Sequence, residues 1–323
     1  MKDLSLLCPT IAAPGVVGLH RVAYVEWGRQ DAARTVVCAH GLTRNGRDFD
    51  TLARHLSATC RVACPDLPGR GRSDWLDVPD VSDVSDVSTR LWGYTYPQYL
   101  VDAVALIARL DVPQVDWVGT SMGGLVGMLL AARPDSPIHR LVLNDIGPFV
   151  PGTFLDTLST YVGKDPDFAT PAEVESYLRT VHAGFGALGD DQWRHLARFS
   201  TRRKPDGVLG LAYDPAIGRG LVPPQPDVDL RAVWAAVRCP VLVVRGADSA
   251  ALPADVAQEM TVTGPRATLV TVPGCGHAPS LTGREQIDVV DTWLRTGRGP
   301  GSGWSTRRLG TSPGGVPGPP AAL

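Results

Sequence analysis

Gly119-Thr120-Ser121-Met122-Gly123 sets a serine hydroxyl at the centre of a Gly-x-Ser-x-Gly turn. Val115-Asp116-Trp117-Val118 ahead of it reads as a strand, and the apolar run Leu125–Ala132 behind it as a helix. In that context the pattern predicts a turn so sharp that the serine is strained and its hydroxyl exposed. A side chain at 119 or 123 would collide across the turn, a steric reason for both glycines. A serine used as a nucleophile needs a base, and His277 is the candidate. It sits in Val272-Pro273-Gly274-Cys275-Gly276-His277-Ala278-Pro279, after the last strand-like run. A Gly-rich loop there has the freedom to reach across strand tips. The imidazole would take the Ser121 proton and later return it to the leaving group. The developing oxyanion needs two fixed N–H donors. Met122 N–H, directly after the serine, is one. Leu42 N–H, in the loop His40-Gly41-Leu42-Thr43-Arg44-Asn45-Gly46, is the other, with His40 fixing that loop. A phosphate-binding turn is the competing reading, but neither Gly-Lys-Ser/Thr nor Gly-x-Gly-x-x-Gly is present.

The elements that must carry these residues alternate along the chain. Strand-like runs fall at 22–27, 35–39, 61–65, 115–118, 141–143, 241–244 and 268–272. Helical patterns fall between them at 49–56, 96–110, 122–132, 254–260 and 284–294. Alternation of this kind predicts an α/β fold: a mostly parallel central sheet with helices on both faces. Residues 148–232 break the rhythm. They hold no strand-like run, carry helical pieces at 171–180 and 190–199, and read as an inserted helical cap. The predicted organisation is a core from 1–147 and 233–296, the cap, and a Gly/Pro-rich disordered tail at 297–323. A Val-Ser-Asp repeat at 81–88 lacks the calcium-loop pattern and reads as a solvated loop.

With 31 basic and 33 acidic residues the net charge is −2, so no global field favours nucleic acid or an anionic membrane. No apolar run is long enough to span a bilayer, and the first residues lack the apolar core of a secretory signal. Six cysteines without a metal or redox spacing, and seven histidines without a metal motif, predict a reduced cytoplasmic protein without cofactor or structural metal. Cys275, beside His277, is the one thiol whose reactivity the pattern raises.

Taken together, 40–46, Asp66-Leu67-Pro68-Gly69-Arg70-Gly71-Arg72-Ser73-Asp74, 119–124 and 274–279 resemble the α/β-hydrolase fold superfamily, in its small-molecule branch with a helical cap. The match runs over about residues 20–295 in the expected order and is specific for fold, not for substrate. The resemblance implies a triad acid just past the seventh strand. The loop there, Arg245-Gly246-Ala247-Asp248-Ser249-Ala250, carries Ser249 and Ala250 where similar sequences carry the acid, leaving Asp248 slightly out of register. Asp145, at the tip of the sixth strand, is the second candidate, since some members take the acid from there. Both preserve the order Ser, acid, His, and the customary loop favours Asp248.

The expected activity is a serine hydrolase acting on small carboxylic esters or lactones through an acyl-enzyme. C–C hydrolysis of a ring-cleavage diketone is the alternative within the superfamily, with Arg44 pairing a substrate carboxylate. A non-catalytic ligand receptor is the alternative outside it. Phe154, Tyr161, Tyr177, Phe185, Trp193 and Tyr213 are candidates to shape the pocket, Trp193 foremost.

Overall fold

The computed structural model describes residues 1–12, 15–77 and 93–298. The Val-Ser-Asp repeat and the tail after residue 298 lie outside the described residues. The central sheet has eight strands: β1 (Lys2–Ala12), β2 (Gly15–Trp27), β3 (Thr35–Ala39), β4 (Arg61–Pro65), β5 (Val115–Thr120), β6 (Ile138–Asn144), β7 (Val241–Gly246) and β8 (Thr268–Val272). Their order is β1-β2-β4-β3-β5-β6-β7-β8. β1 and β2 form an antiparallel hairpin, β2 meets β4 antiparallel, and all later neighbours are parallel. This is the expected mostly parallel α/β sheet, with β5 and its serine turn near the middle.

Burial on both faces explains the continuous apolar strands. In β3, Val37 and Ala39 face one core and Val36 and Cys38 the other. The first core is covered by helices α2 (Tyr96–Leu110), α3 (Met122–Ala131), α7 (Arg231–Ala236) and α8 (Ala254–Glu259), through Leu106, Met128, Trp234 and Val256 among others. The second is covered by α1 (Asp50–Leu56) and α9 (Arg284–Thr296), through Leu52, Val290 and Trp293.

Between β6 and β7 the chain builds α4 (Gly152–Ser159), α5 (Pro171–Val181) and α6 (Asp190–Phe199). The last two share an apolar cluster of their own with Val162, Phe168 and Tyr213. The expectation that 148–232 holds no strand is corrected. Thr201–Arg203 pairs with Leu209–Leu211, and Phe149–Val150 with Val228–Asp229. Both ribbons are too short to show a period-2 pattern. β1 was also missed, because its alternation of apolar and polar side chains is interrupted by Pro9 and a register shift after Thr10.

The insertion is stitched to the core largely through backbone. Gly71 N donates to Ala212 O and Asp214 N to Gly69 O, both at 2.8 Å, so the Asp66–Asp74 loop runs against the insertion's last ribbon. Asn45 Nδ2 adds a bond to Phe199 O at 2.9 Å.

Trp117, buried in β5, donates its indole N–H to Gly123 O at 2.9 Å and so braces the serine turn from within the core. Trp117→Phe should remove that bond and leave a cavity, costing about 2–4 kcal/mol in a urea unfolding experiment.

Candidate active site

The turn after β5 is built by steric exclusion. Ser121 has φ 51° and ψ −119°, a region nearly closed to side-chain-bearing residues. A Cβ on Gly119 would lie 2.3 Å from Gly123 O, and one on Gly123 would lie 2.2 Å from Ala39 O. Only backbone fits between β3, β5 and the start of α3. The strand tips on either side hold the turn: Ser121 N donates to Asn144 O at 3.0 Å, and Gly123 N to His40 O at 3.1 Å.

The loop after β8 brings His277 to this hydroxyl. His277 Nε2 is 2.8 Å from Ser121 Oγ, and Nδ1 is 2.8 Å from Asp145 Oδ2. The imidazole is therefore placed to accept from Ser121 while its Nδ1–H donates to the carboxylate. Asp145 is fully buried at the end of β6, with φ 58°, a left-handed conformation that aspartate tolerates better than most residues. Its Oδ1 accepts from Gly246 N at 2.7 Å, and its Oδ2 also accepts from Ser249 Oγ at 2.6 Å. Ser249 Oγ in turn accepts from the Ala251 and Leu252 amides. The buried carboxylate thus keeps three donors, as a buried charge requires.

The geometry corrects the preference for Asp248. Asp248 is exposed, and its backbone N–H is tied to Cys275 O at 2.8 Å. Asp145 makes the contact with His277 instead. Ser249 occupies the customary loop but supplies a hydroxyl to Asp145 rather than an acid. The sequence signal for this was present in Asn144-Asp145 at the sixth strand tip and in the serine two residues after Ala247.

Met122 follows the serine at the start of α3, and Leu42 lies in the loop after β3. A Cβ on Gly41 would lie 3.6 Å from Ser121 Cβ, so the loop after β3 is packed against the nucleophile. Among the described residues no loop, turn or cap hydrogen bond uses Leu42 N or Met122 N, which leaves both as donors. His40 holds this loop as a buried neutral ring. Leu67 N donates to its Nε2 at 2.9 Å, so Nδ1 carries the proton and donates to Gly41 O at 2.7 Å. That bond polarises the Gly41–Leu42 peptide, whose N–H is the candidate oxyanion donor. Burial, reinforced by the charges of Arg70 and Arg44, holds the His40 pKa down to about 3.

Sequence reasoning missed Arg70 and Asn144. Arg70 is completely buried and has no carboxylate partner among the described residues. It donates to Leu42 O at 2.8 Å, Pro68 O at 2.6 Å and Tyr99 Oη at 2.8 Å, and lies 3.7 Å from Met122 Sδ. One guanidinium thus touches both oxyanion-loop residues. Asn144 Nδ2 ties Thr120 Oγ1 to Pro279 O, joining the serine strand to the histidine loop.

Of two expected pocket residues, Arg44 lines a cavity beside the serine strand and Trp193 does not. Trp193 is buried in the insertion's own apolar cluster, beneath Arg179, and does not line the cavity beside Thr120. Arg44 lines that cavity but is not an exposed loop cation: it is buried, and its guanidinium is bidentate with Asp48 at 2.8 and 2.7 Å. Cys275 is buried, and burial pushes its thiol pKa up, which argues against a reactive thiolate. The cavity holds about 230 Å³ between His40, Gly41 and Thr120 on one side and Phe185, Leu188 and Leu196 of the insertion on the other. Phe154 of α4 meets the His277 ring edge-on, centroids 4.8 Å apart.

A strained serine and an imidazole bridging it to a buried carboxylate form an arrangement that hydrolase chemistry could use. Residues 36–289 match the alpha/beta hydrolase family, and the chain belongs to that family; it is a hydrolase. It is 44% identical over 282 residues to the 3-hydroxybutyrate-oligomer hydrolase of Cupriavidus necator, spanning 84% of this chain and 92% of that protein. It is 31% identical over 266 residues to the pimeloyl-(acyl-carrier protein) methyl ester esterase of Aromatoleum aromaticum, 79% of this chain and 95% of that one. A solved alpha/beta hydrolase from Novosphingobium aromaticivorans superposes with a TM-score of 0.74 at 32% identity, covering 91% of this chain and 98% of the other. No described helix is long and apolar enough to cross a membrane.

His40 and His182 are buried with pKa values held below the free value of 6.5, in both cases chiefly by burial. The unfolded chain binds protons there that the folded chain refuses, so stability is full above pH 6.5 and falls as pH drops toward 3. Asp66 and Asp102, with raised pKa values, act in the opposite direction at the acid end. Urea midpoints measured from pH 7 to 5 should decline, His40 alone contributing up to about 1.4 kcal/mol per pH unit. The decline should be shallower in His40→Gln.

Proposed function

We propose that the protein cleaves ester bonds in short linear oligomers of a hydroxy acid, with Ser121, His277 and Asp145 as catalytic residues. The observation that carries the reading is the unbroken hydrogen-bond relay from Ser121 through His277 to Asp145, both links at 2.8 Å. The substrate class rests on the 44% identity to the 3-hydroxybutyrate-oligomer hydrolase. Such oligomers are carboxylic esters in which the leaving group is the hydroxyl of the next unit.

Ser121 Oγ attacks the ester carbonyl as its proton passes to His277 Nε2. The tetrahedral oxyanion accepts from Leu42 N–H and Met122 N–H. The ester C–O bond breaks, and the leaving hydroxyl takes the proton from Nε2. Water then attacks the acyl-enzyme, giving its proton to the same nitrogen, and Ser121 leaves as the free hydroxyl with a carboxylic acid as product. Asp145 keeps Nδ1 protonated and stabilises the imidazolium. We read 148–232 as the cap that walls this site, through Phe154, Phe185 and Leu188. Lactones and simple esters remain substrates of the same chemistry. The case for a carboxylate-bearing diketone weakens, because Asp48 already matches Arg44.

The experiment is hydrolysis of 3-hydroxybutyrate dimer and trimer beside p-nitrophenyl acetate, a lactone and a ring-cleavage diketone. The oligomers should show the highest kcat/KM; a preference for the diketone would replace the reading. Ser121→Ala should lose about 10³-fold or more in kcat, and Asp145→Asn about 10²–10⁴-fold. Asp248→Asn should stay within a few-fold of the parent.

Arg70→Met keeps the apolar contacts of the side chain but loses the bond to Leu42 O. It should lower kcat about tenfold or more while KM changes little, because a loosened oxyanion donor matters mainly in the transition state.

A further inference from the structure

Cys8 and His20 lie directly opposite each other in the β1–β2 ladder. Cross-strand partners of this kind present side chains on one face, about 5 Å apart at Cβ. That face packs on α2, which carries Asp102. One donor atom from each of Cys8, His20 and Asp102 lies within 4.8 Å of the other two, and all three side chains are buried. The cluster is remote in sequence and role from the relay at Ser121, and nothing in the proposed hydrolysis uses it.

We propose that Cys8 Sγ, His20 Nε2 and both oxygens of the Asp102 carboxylate form a four-donor zinc site that pins the N-terminal hairpin to α2. Protein–protein hydrogen bonds alone leave the cluster incomplete. Among the described residues Asp102 Oδ2 has no hydrogen bond of good geometry: the Cys8 thiol and the His20 ring both face the carboxylate, and His20 Nε2 stands 3.2 Å from Oδ1 out of line. Unmatched polar atoms this deeply buried are costly. A divalent cation supplies the missing partner to both. Thiolate, imidazole and carboxylate are the donor types zinc takes, and together with Zn²⁺ they sum to no net charge. Binding displaces the Cys8 thiol proton to solvent; no electron moves and no other reactant is needed.

The surrounding groups are those that orient ligands in metal sites. Thr10 Oγ1 is 2.9 Å from His20 Nδ1, so the threonine oxygen can hold the tautomer that leaves Nε2 free to coordinate. Gln98 Nε2 donates to Asp102 Oδ1 at 2.8 Å and to Pro9 O at 3.0 Å, while Gln98 Oε1 accepts from Ile11 N at 2.8 Å. One helix turn therefore fixes both the carboxylate and the strand that bears the thiol.

The test uses the full chain, stripped with a chelator and titrated with Co²⁺. One equivalent should bind with a thiolate-to-cobalt charge-transfer band, and Zn²⁺ should displace it. Zn²⁺ should also raise the melting temperature of the parent. Cys8→Ser should lose the band, which the five remaining cysteines would otherwise preserve. Thr10→Val, which leaves every ligand in place, should bind about 10–100-fold more weakly. If the parent takes up no stoichiometric metal and shows no thiolate band, the cluster is a thiol–carboxylate–imidazole hydrogen-bond knot and the proposal is overturned. A band that survives in Cys8→Ser overturns it as well, by assigning the metal to another thiol. Ester hydrolysis by Cys8→Ser should match the parent, which separates this outcome from any failure of the catalytic reading.

Discussion

Backbone packed against backbone at Gly119 and Gly123 is the constraint on which the rest depends. Three chain segments meet there with no room for a single Cβ, and the strained Ser121 conformation exists only because all three are held. The strain is sustained by what surrounds it: β5 in mid-sheet, the Trp117 indole beneath, and the amide bonds to Asn144 and His40. Because those two anchors lie at the tips of β6 and β3, the turn also fixes where Asp145 and Leu42 can stand. The proposed nucleophile, its acid and its oxyanion donor share one scaffold of strand ends.

The chemistry at that scaffold is distributed over loops that tolerate exchange. The proposed acid comes from the tip of β6, while the β7 loop that customarily supplies one contributes the Ser249 hydroxyl to the same carboxylate. Only the carboxylate position relative to His277 matters to the imidazole, and either strand end can reach it. The uncompensated buried charge of Arg70 follows a similar logic. Its cost is offset by carbonyls, a phenol and two aromatic rings, and the charge is left directed at the loop where negative charge would develop.

Much of this was legible in the residues. Parallel strands 35–39 and 61–65 were bounded correctly because both faces are buried, and 268–272 because Pro273-Gly274 ends it. Helix 96–110 carries its proline in the first turn, an unambiguous start. The choice between Asp145 and Asp248 was not legible, since both follow a strand and both precede His277; it turns on a left-handed backbone at 145 and a tertiary bond from Ser249. Trp193 misled because an aromatic on a helix of the insertion is equally suited to its internal core. The Cys8–His20 pairing was hidden because register across a hairpin cannot be read while one of its strands goes unrecognised.

Phe154 edge-on against His277 gives the insertion a second office beyond enclosing a cavity. One face of the imidazole is walled by a ring that belongs to α4, not to the sheet that carries the serine. Any rearrangement of α4 also unpacks the ring that steadies the imidazole. The order of the imidazole is thus tied to how the insertion seats α4 against the strand ends.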